Sequence, residues 1–238
     1  MGVTIHFKLR APPETDAGRA EEIVNELRRC AGRYWIEGRV DKVPRLGHDA
    51  RALRLGRTYR EYPVPDRPNS HYVAELVPVE GFVLMVDVGQ GCESLCLGLA
   101  RYPDEVWAGG KSRRTNLRGW RWVGFCKTQF ASLHGWDHFR RCHLAVLDLL
   151  DAARELGCRV TVSDEGEYWP RRNEKALRRN VGLMNSAIAG AAGAMKDFYT
   201  AKGEPGVQSP IFAHPQYEHL EAKGASQRHV AALRKALE

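Results

Sequence analysis

The densest chemistry in the chain lies in one short run, Asp164-Glu165-Gly166-Glu167-Tyr168-Trp169. Three carboxylates in four positions repel one another. A chain keeps them together to bind a divalent cation, to pair with basic residues, or because they stand in water. Paired carboxylates also serve general acid–base chemistry when their surroundings drive the two pKa values apart. The alternative is a solvated turn that neutralises Arg171 and Arg172. Lys127, in Lys127-Thr128-Gln129, is the complementary group. It shares strand parity with Val123 and Phe125, so its stem continues an apolar face and its ammonium needs a carboxylate, a ligand or solvent. The expectation is an ion pair from Lys127 to Glu93, Asp164, Glu165 or Glu167. Such a pair either serves a site or merely pins two strand ends. Glu93 shares the parity of Leu95, Leu97 and Leu99 and is read as pointing inward. An acid–base or metal-assisted hydrolase built here would react through Lys127, Glu93, Glu165 and Glu167 and bind through Gln129, Asp164 and Tyr168.

A different chemistry is written in the charge. The 238 residues hold 36 Lys and Arg against 29 Asp and Glu, a formal charge of +7. A basic balance favours polyanions. The excess sits in two stretches: residues 33–60 carry eight Lys or Arg and three acids, and residues 101–128 carry seven and two. In the second stretch Trp107, Lys111, Arg113, Arg114, Arg118, Trp120, Arg121 and Trp122 interleave rings with cations. Base stacking with phosphate contact needs that mixture. Equally, the tryptophans could anchor a strand in the core while the arginines stand in water. The leading expectation is a nucleic-acid or other polyanion-binding or accessory protein, with Arg113, Arg114, Arg118 and Trp120 as binding residues.

Other signals are weaker. His134, His138 and Cys142 would align as zinc ligands only if a helix began before Gly135, and Cys142 belongs to an apolar helix face; no metal site is assigned. Gly89-Gln90-Gly91 reads as a hairpin turn, since no helix starts there to receive a phosphate. GxSxG, HExxH, the Walker A loop and the Rossmann fingerprint are missing, so no cofactor is assigned. No apolar run approaches the ~18–20 residues of a membrane span. The opening MGVTIHFKLR has no basic-then-apolar leader, which predicts a cytoplasmic location and, for the six cysteines, free thiols.

The elements that must position these groups follow from periodicity. Residues 3–9 alternate strictly and read as a strand with Val3, Ile5, Phe7 and Leu9 buried. Asp16 caps a helix with Ala20, Ile23, Val24, Leu27 and Ala31 on one face, stopped by Gly32. Residues 37–80 read as an irregular basic excursion with one or two short strands. A hairpin occupies 81–100, a polar connection 103–118, and a strand 120–130. A helix covers about 137–156, a short strand 159–163, and a long helix runs from Asn173 to about Thr200. Leu177, Val181, Met184, Ile188, Ala191, Met195 and Phe198 form its seam, and its glycines and alanines allow close packing. Helices separated by antiparallel strands give an α+β fold, an elaborated ferredoxin-like antiparallel sheet with the long C-terminal helix packed on it. Residues 1–203 read as one domain. Residues 204–238 read as a linker and short helical tail, which with the long helix offers a surface for a protein partner.

Four blocks, Gly2-Val-Thr-Ile-His6, Gly91-Cys-Glu93, Lys127-Thr-Gln-Phe-Ala131 and Asp164-Glu-Gly-Glu-Tyr-Trp169, occur in this order. In them the chain resembles a set of bacterial proteins of about this size with no assigned activity. The resemblance implies no mechanism; it marks Glu93, Lys127, Gln129, Asp164, Glu165 and Glu167 as the polar residues of interest. The match ends after Trp169, where Pro170-Arg-Arg-Asn follows.

Overall fold

In Thr4–Arg10 (β1), Ile5, Phe7 and Leu9 are buried while His6, Lys8 and Arg10 are exposed. This is the two-residue period of a strand with one wet face. After the turn at Pro12-Pro13, the Asp16 carboxylate accepts a hydrogen bond from the Arg19 amide (2.8 Å) and caps Ala17–Ile36 (α1). Its apolar positions bury as the spacing predicts, but the helix passes through Gly32 for another turn. A glycine alone lowers helix propensity by only about 1 kcal/mol.

The computed structural model describes residues 3–42, 45–65, 67–169 and 171–237. The remaining strands are Arg45–Gly47 (β2), Thr58–Val64 (β3), Arg67–Leu76 (β4), Glu80–Val86 (β5), Leu95–Arg101 (β6), Glu105–Ala108 (β7), Lys111–Arg114 (β8), Arg121–Lys127 (β9) and Arg159–Asp164 (β10). The helices are Ala50–Leu53 (α2), Trp136–Glu155 (α3), Glu174–Ala201 (α4), Tyr217–Ala225 (α5) and Arg228–Leu237 (α6). The main sheet has the order β10-β1-β9-β6-β5-β2, with every neighbouring pair antiparallel. The strand leaving α3 flanks β1 on one side and the strand entering α3 flanks it on the other, with β6 beyond. This interleaving is the ferredoxin-like α+β plan, extended by β5 and the short β2.

One face of the sheet is dry. Ile5, Phe7 and Leu9 join Ile23, Val24 and Leu27 of α1, Val146, Leu149 and Leu150 of α3, and Leu84, Leu97 and Leu99 in a single core. β6 and β9 share only the pair Ala100–Arg121. Trp122, fully buried, bridges the gap, its indole N–H donating to the Cys96 carbonyl at 2.9 Å.

The 37–80 excursion is more ordered than its composition suggests. It contains β2, α2 and the β3–β4 hairpin, and the 103–118 connection is a second hairpin, β7–β8. The first two turns of α4 pack over the end of the sheet, where Leu177 and Val181 meet Val3, Ala131 and Phe139. Farther along, α4 carries α5 and α6, with Ala189, Ala192, Ile211 and Leu220 buried together. The small residues serve this contact: a β-carbon on Gly224 would collide with the Ser186 carbonyl. The α5 segment thus packs on the Ser186, Gly190 and Gly193 face of α4. Of the seam read from the sequence, Leu177 and Val181 are buried at the sheet end, while Met184, Ile188, Ala191, Met195 and Phe198 are only half-buried. Among the described residues no helix is long and apolar enough to cross a membrane.

Candidate functional site

The four sequence blocks converge at one end of the sheet. Asp164 ends β10, and the chain then wraps around its carboxylate, which accepts hydrogen bonds from the amides of Gly166 (2.7 Å), Tyr168 (2.8 Å) and Trp169 (3.0 Å). The side chain is fully buried, as is His143, whose Nε2 lies 3.3 Å from Asp164 Oδ1 without forming a well-aligned hydrogen bond. Burial opposes the charged form, but His143 and the converging amides outweigh it and hold Asp164 below the usual carboxylate range. His143 Nδ1 meets the Thr128 hydroxyl at 2.9 Å. Beside it, Gln129 is buried; its carbonyl accepts from the Val3 amide (2.7 Å) and its amide donates to Asn185 of α4. Asn185 donates in turn to Ser132 (3.1 Å). This end of the sheet is a polar bracket whose buried groups bond one another, His143 Nε2 excepted, which has only its ionic contact with Asp164.

Lys127 does not join it. Among the described residues its ammonium makes no ion pair with Glu93, Asp164, Glu165 or Glu167; it lies 5.2 Å from the Phe130 ring centre. Each acid has another partner. Glu93 is exposed rather than inward, and pairs with Lys127 through the backbone (Glu93 N–H to Lys127 O, 2.9 Å; Lys127 N–H to Glu93 Oε2, 3.3 Å). Glu165 accepts from the Thr4 amide (2.9 Å) and lies 3.7 Å from His6. Glu167 pairs with Arg179 (3.1 Å). Tyr168 packs between the two core clusters, its ring near the Arg172 guanidinium.

The reason for the missing pair is a reversed face. The inward residues of β9 are Trp122 and Cys126, both fully buried, with Gly124 between them. Val123 and Phe125 point outward with Lys127, 38% and 57% exposed. The register places them in rows across three strands: Ser163, His6 and Phe125 in one, Thr161, Lys8 and Val123 in the next. The His6 and Phe125 rings are 6.1 Å apart and tilted by 39°. Along one side the 54–59 segment raises a wall bearing Arg54, Leu55, Arg57 and Tyr59, and Tyr59 is 57% exposed. Floor and wall enclose a groove of about 830 Å³, reaching Glu93, Ser94 and Cys96. Arg57 pairs with Glu75 (3.6 Å); Lys8 and Arg54 form no ion pair among the described residues.

No family model, curated protein or solved structure matches the chain.

The residues expected to bind from the second basic stretch divide. Trp120 is only 4% exposed and stacks on Phe82, with centroids 5.8 Å apart, so it is a core residue. Arg113 lies 5.3 and 5.6 Å from the Tyr62 and Tyr72 ring centres and donates to the Ala108 carbonyl (3.0 Å), fastening β7–β8 to β3–β4. Arg114 and Arg118 are exposed, and Trp107, 72% exposed, stands on β7. His138, weighed as a metal ligand, meets the Gln90 carbonyl (2.9 Å) and the Cys142 sulfur (3.6 Å). Cys92 raises no charge of its own: the Cys142 thiol beside it and burial both push its pKa up.

His6, Lys8, Phe125 and Tyr59 were not singled out by sequence reasoning. The outward parity of His6 and Lys8 was visible in β1. The missing signal was that Val123 and Phe125 lie on that same side.

Proposed function

We propose that the chain binds single-stranded nucleic acid across the open face of its sheet. One observation carries the reading: Phe125, more than half exposed, sits beside His6 on the two neighbouring strands β1 and β9, in a groove whose cations include Lys8 and Arg54. Exposed rings of this size are costly to leave in water, and patches of them mark interaction sites. A single strand offers unstacked bases to such rings and phosphates to the surrounding cations. The net charge of +7 favours the same partner. Aromatic rings on adjacent strands of an open sheet are also how RNA-recognition sheets stack bases. That likeness is one of architecture only.

The acid–base reading has less support, because the Lys127 ammonium meets none of the four carboxylates among the described residues. The test is fluorescence anisotropy with labelled oligonucleotides of about 16 nucleotides, DNA and RNA, single- and double-stranded. Single strands are expected to bind in preference, and Phe125→Ala to weaken them by about 1–3 kcal/mol while the melting temperature holds. No binding at low salt, or equal binding by the variant, would refute the proposal.

A further inference from the structure

At the far end of the open face the register sets a third row, Arg159, Arg10 and Arg121, on three adjacent strands. Arg60 of β3 is close enough to act on Arg121, as Arg10 does. Like charges directly opposite one another in a sheet are destabilising, and arginine cannot relieve the strain by losing its proton near neutral pH. Burial first, then Arg10 and Arg60, press the Arg121 pKa down. Among the described residues none of the four forms an ion pair. Arg121 alone is partly satisfied, donating through Nε to the Arg118 carbonyl at 3.1 Å. Other arginines are paired, such as Arg140 with Glu174, Arg141 with Asp41 and Arg179 with Glu167, and several exposed ones among the described residues are not. The row is set apart because three stand side by side on adjacent strands. A row of unneutralised guanidinium forks is a receptor for phosphate oxygens, which they meet bidentately.

We infer that Arg10, Arg121 and Arg159, with Arg60 beside them, form a phosphate site that takes the backbone of a strand whose bases lie on His6 and Phe125. The inference rests on the proposed function and narrows its ligand. Arg10 and His6 are four residues apart on one strand, about 13 Å at the usual rise. A strand of several nucleotides covers that distance, with bases at one row and phosphates at the other, so the ligand that engages both rows is taken to be an oligonucleotide.

The experiment compares the native protein with two triple variants of equal charge change. One is Arg10→Gln, Arg121→Gln, Arg159→Gln. The other is Arg28→Gln, Lys175→Gln, Lys223→Gln, three exposed cations away from the groove. Anisotropy with labelled oligo(dT) and oligo(U) is measured from about 50 to 200 mM salt. Each lost phosphate contact on a single strand lowers the slope of log K against log salt by about 0.7. The row variant should therefore lose about 2 in slope, and the other variant should keep the native slope. Equal slopes in both variants would overturn the site. A second arm reads inorganic pyrophosphate by thermal shift at low salt. Without ligand the row variant should melt no lower than native, the relieved repulsion between neighbouring guanidinium groups offsetting the lost Arg121–Arg118 hydrogen bond; a lower melting temperature would mark the row as structural and overturn the inference. With pyrophosphate only the native protein and the distant variant should gain stability. If no oligonucleotide binds but pyrophosphate still stabilises these two alone, the nucleic-acid reading fails and the phosphate site stands. If pyrophosphate stabilises none of the three proteins, or all three alike, the site fails.

Discussion

The two ends of β1, β9 and β10 are opposites. At one end Asp164, Thr128, Gln129 and His143 are buried and hydrogen-bonded or packed against one another and against the backbone of Val3 and the 166–169 turn. At the other, Arg10, Arg121 and Arg159 stand in a row and form no ion pair among the described residues. Both ends are conspicuous for polar and charged residues, and sequence reasoning gave the chemistry to the first. The partners of each group favour the second end as the ligand site, in line with the proposal above. A polar group whose bonding capacity is filled inside the protein supports the fold. A cluster of charges left unneutralised on an open face has its capacity to spare for a ligand.

The comparison breaks most readily at the saturated end. Asp164→Ala orphans three amides and His143, and should cost about 3–5 kcal/mol in urea unfolding. A cost below ~1 kcal/mol would mean that the bracket does not hold the turn. Next comes the contrast between two aromatic residues. Trp120→Ala empties a core position and should cost about 3–5 kcal/mol, with binding by the folded fraction retained. Phe125→Ala should do the reverse, leaving stability within about 1 kcal/mol, since an exposed side chain adds little burial. Should Trp120→Ala lose binding without loss of stability, the groove is on the wrong part of the molecule.

Acid sharpens the same contrast. Asp164 has a depressed pKa in the fold, so it stabilises the native state above the unfolded carboxylate value of about 3.9. That contribution is lost as the pH falls through the lower folded value. Stability followed from pH 7 to pH 2 should therefore drop steeply at the acid end in the native protein and less so in Asp164→Asn; parallel curves would contradict the assignment. The smallest effect is expected at Lys127. With no ion pair to lose, Lys127→Met should change stability by no more than about 0.5 kcal/mol, and a larger cost would restore a structural role for the ammonium.

What was legible in the chain follows a physical divide. The alternation of Thr4–Arg10 and the seams of α1 and α3 are local patterns, and they placed the core and the α+β order correctly. The β9 run Arg121-Trp-Val-Gly-Phe-Cys-Lys127 is apolar on both parities, so nothing local says which side faces the helices. Trp122 decides it by filling the gap between β6 and β9, a feature of the sheet and not of the strand. Asp164 looked like one of three competing carboxylates because its amide partners depend on how the 165–169 turn closes. Asn185 came unannounced, and His143 stood out only as a neighbour of the weak His134, His138 and Cys142 metal candidate: their partners are 56 and 21 residues away. The arginine row is equally non-local, since Arg10, Arg121 and Arg159 meet only through the register of three strands.

The central claim is that the open face, and not the β7–β8 hairpin, meets the ligand. Amide chemical-shift mapping during titration with oligo(dT) tests it most directly. The account predicts shifts concentrated at His6, Lys8, Arg10, Arg121, Val123, Phe125, Thr161 and Ser163, with α1 and α4 silent. Shifts centred on Trp107, Arg114 and Arg118, or none at saturating oligonucleotide, would contradict it.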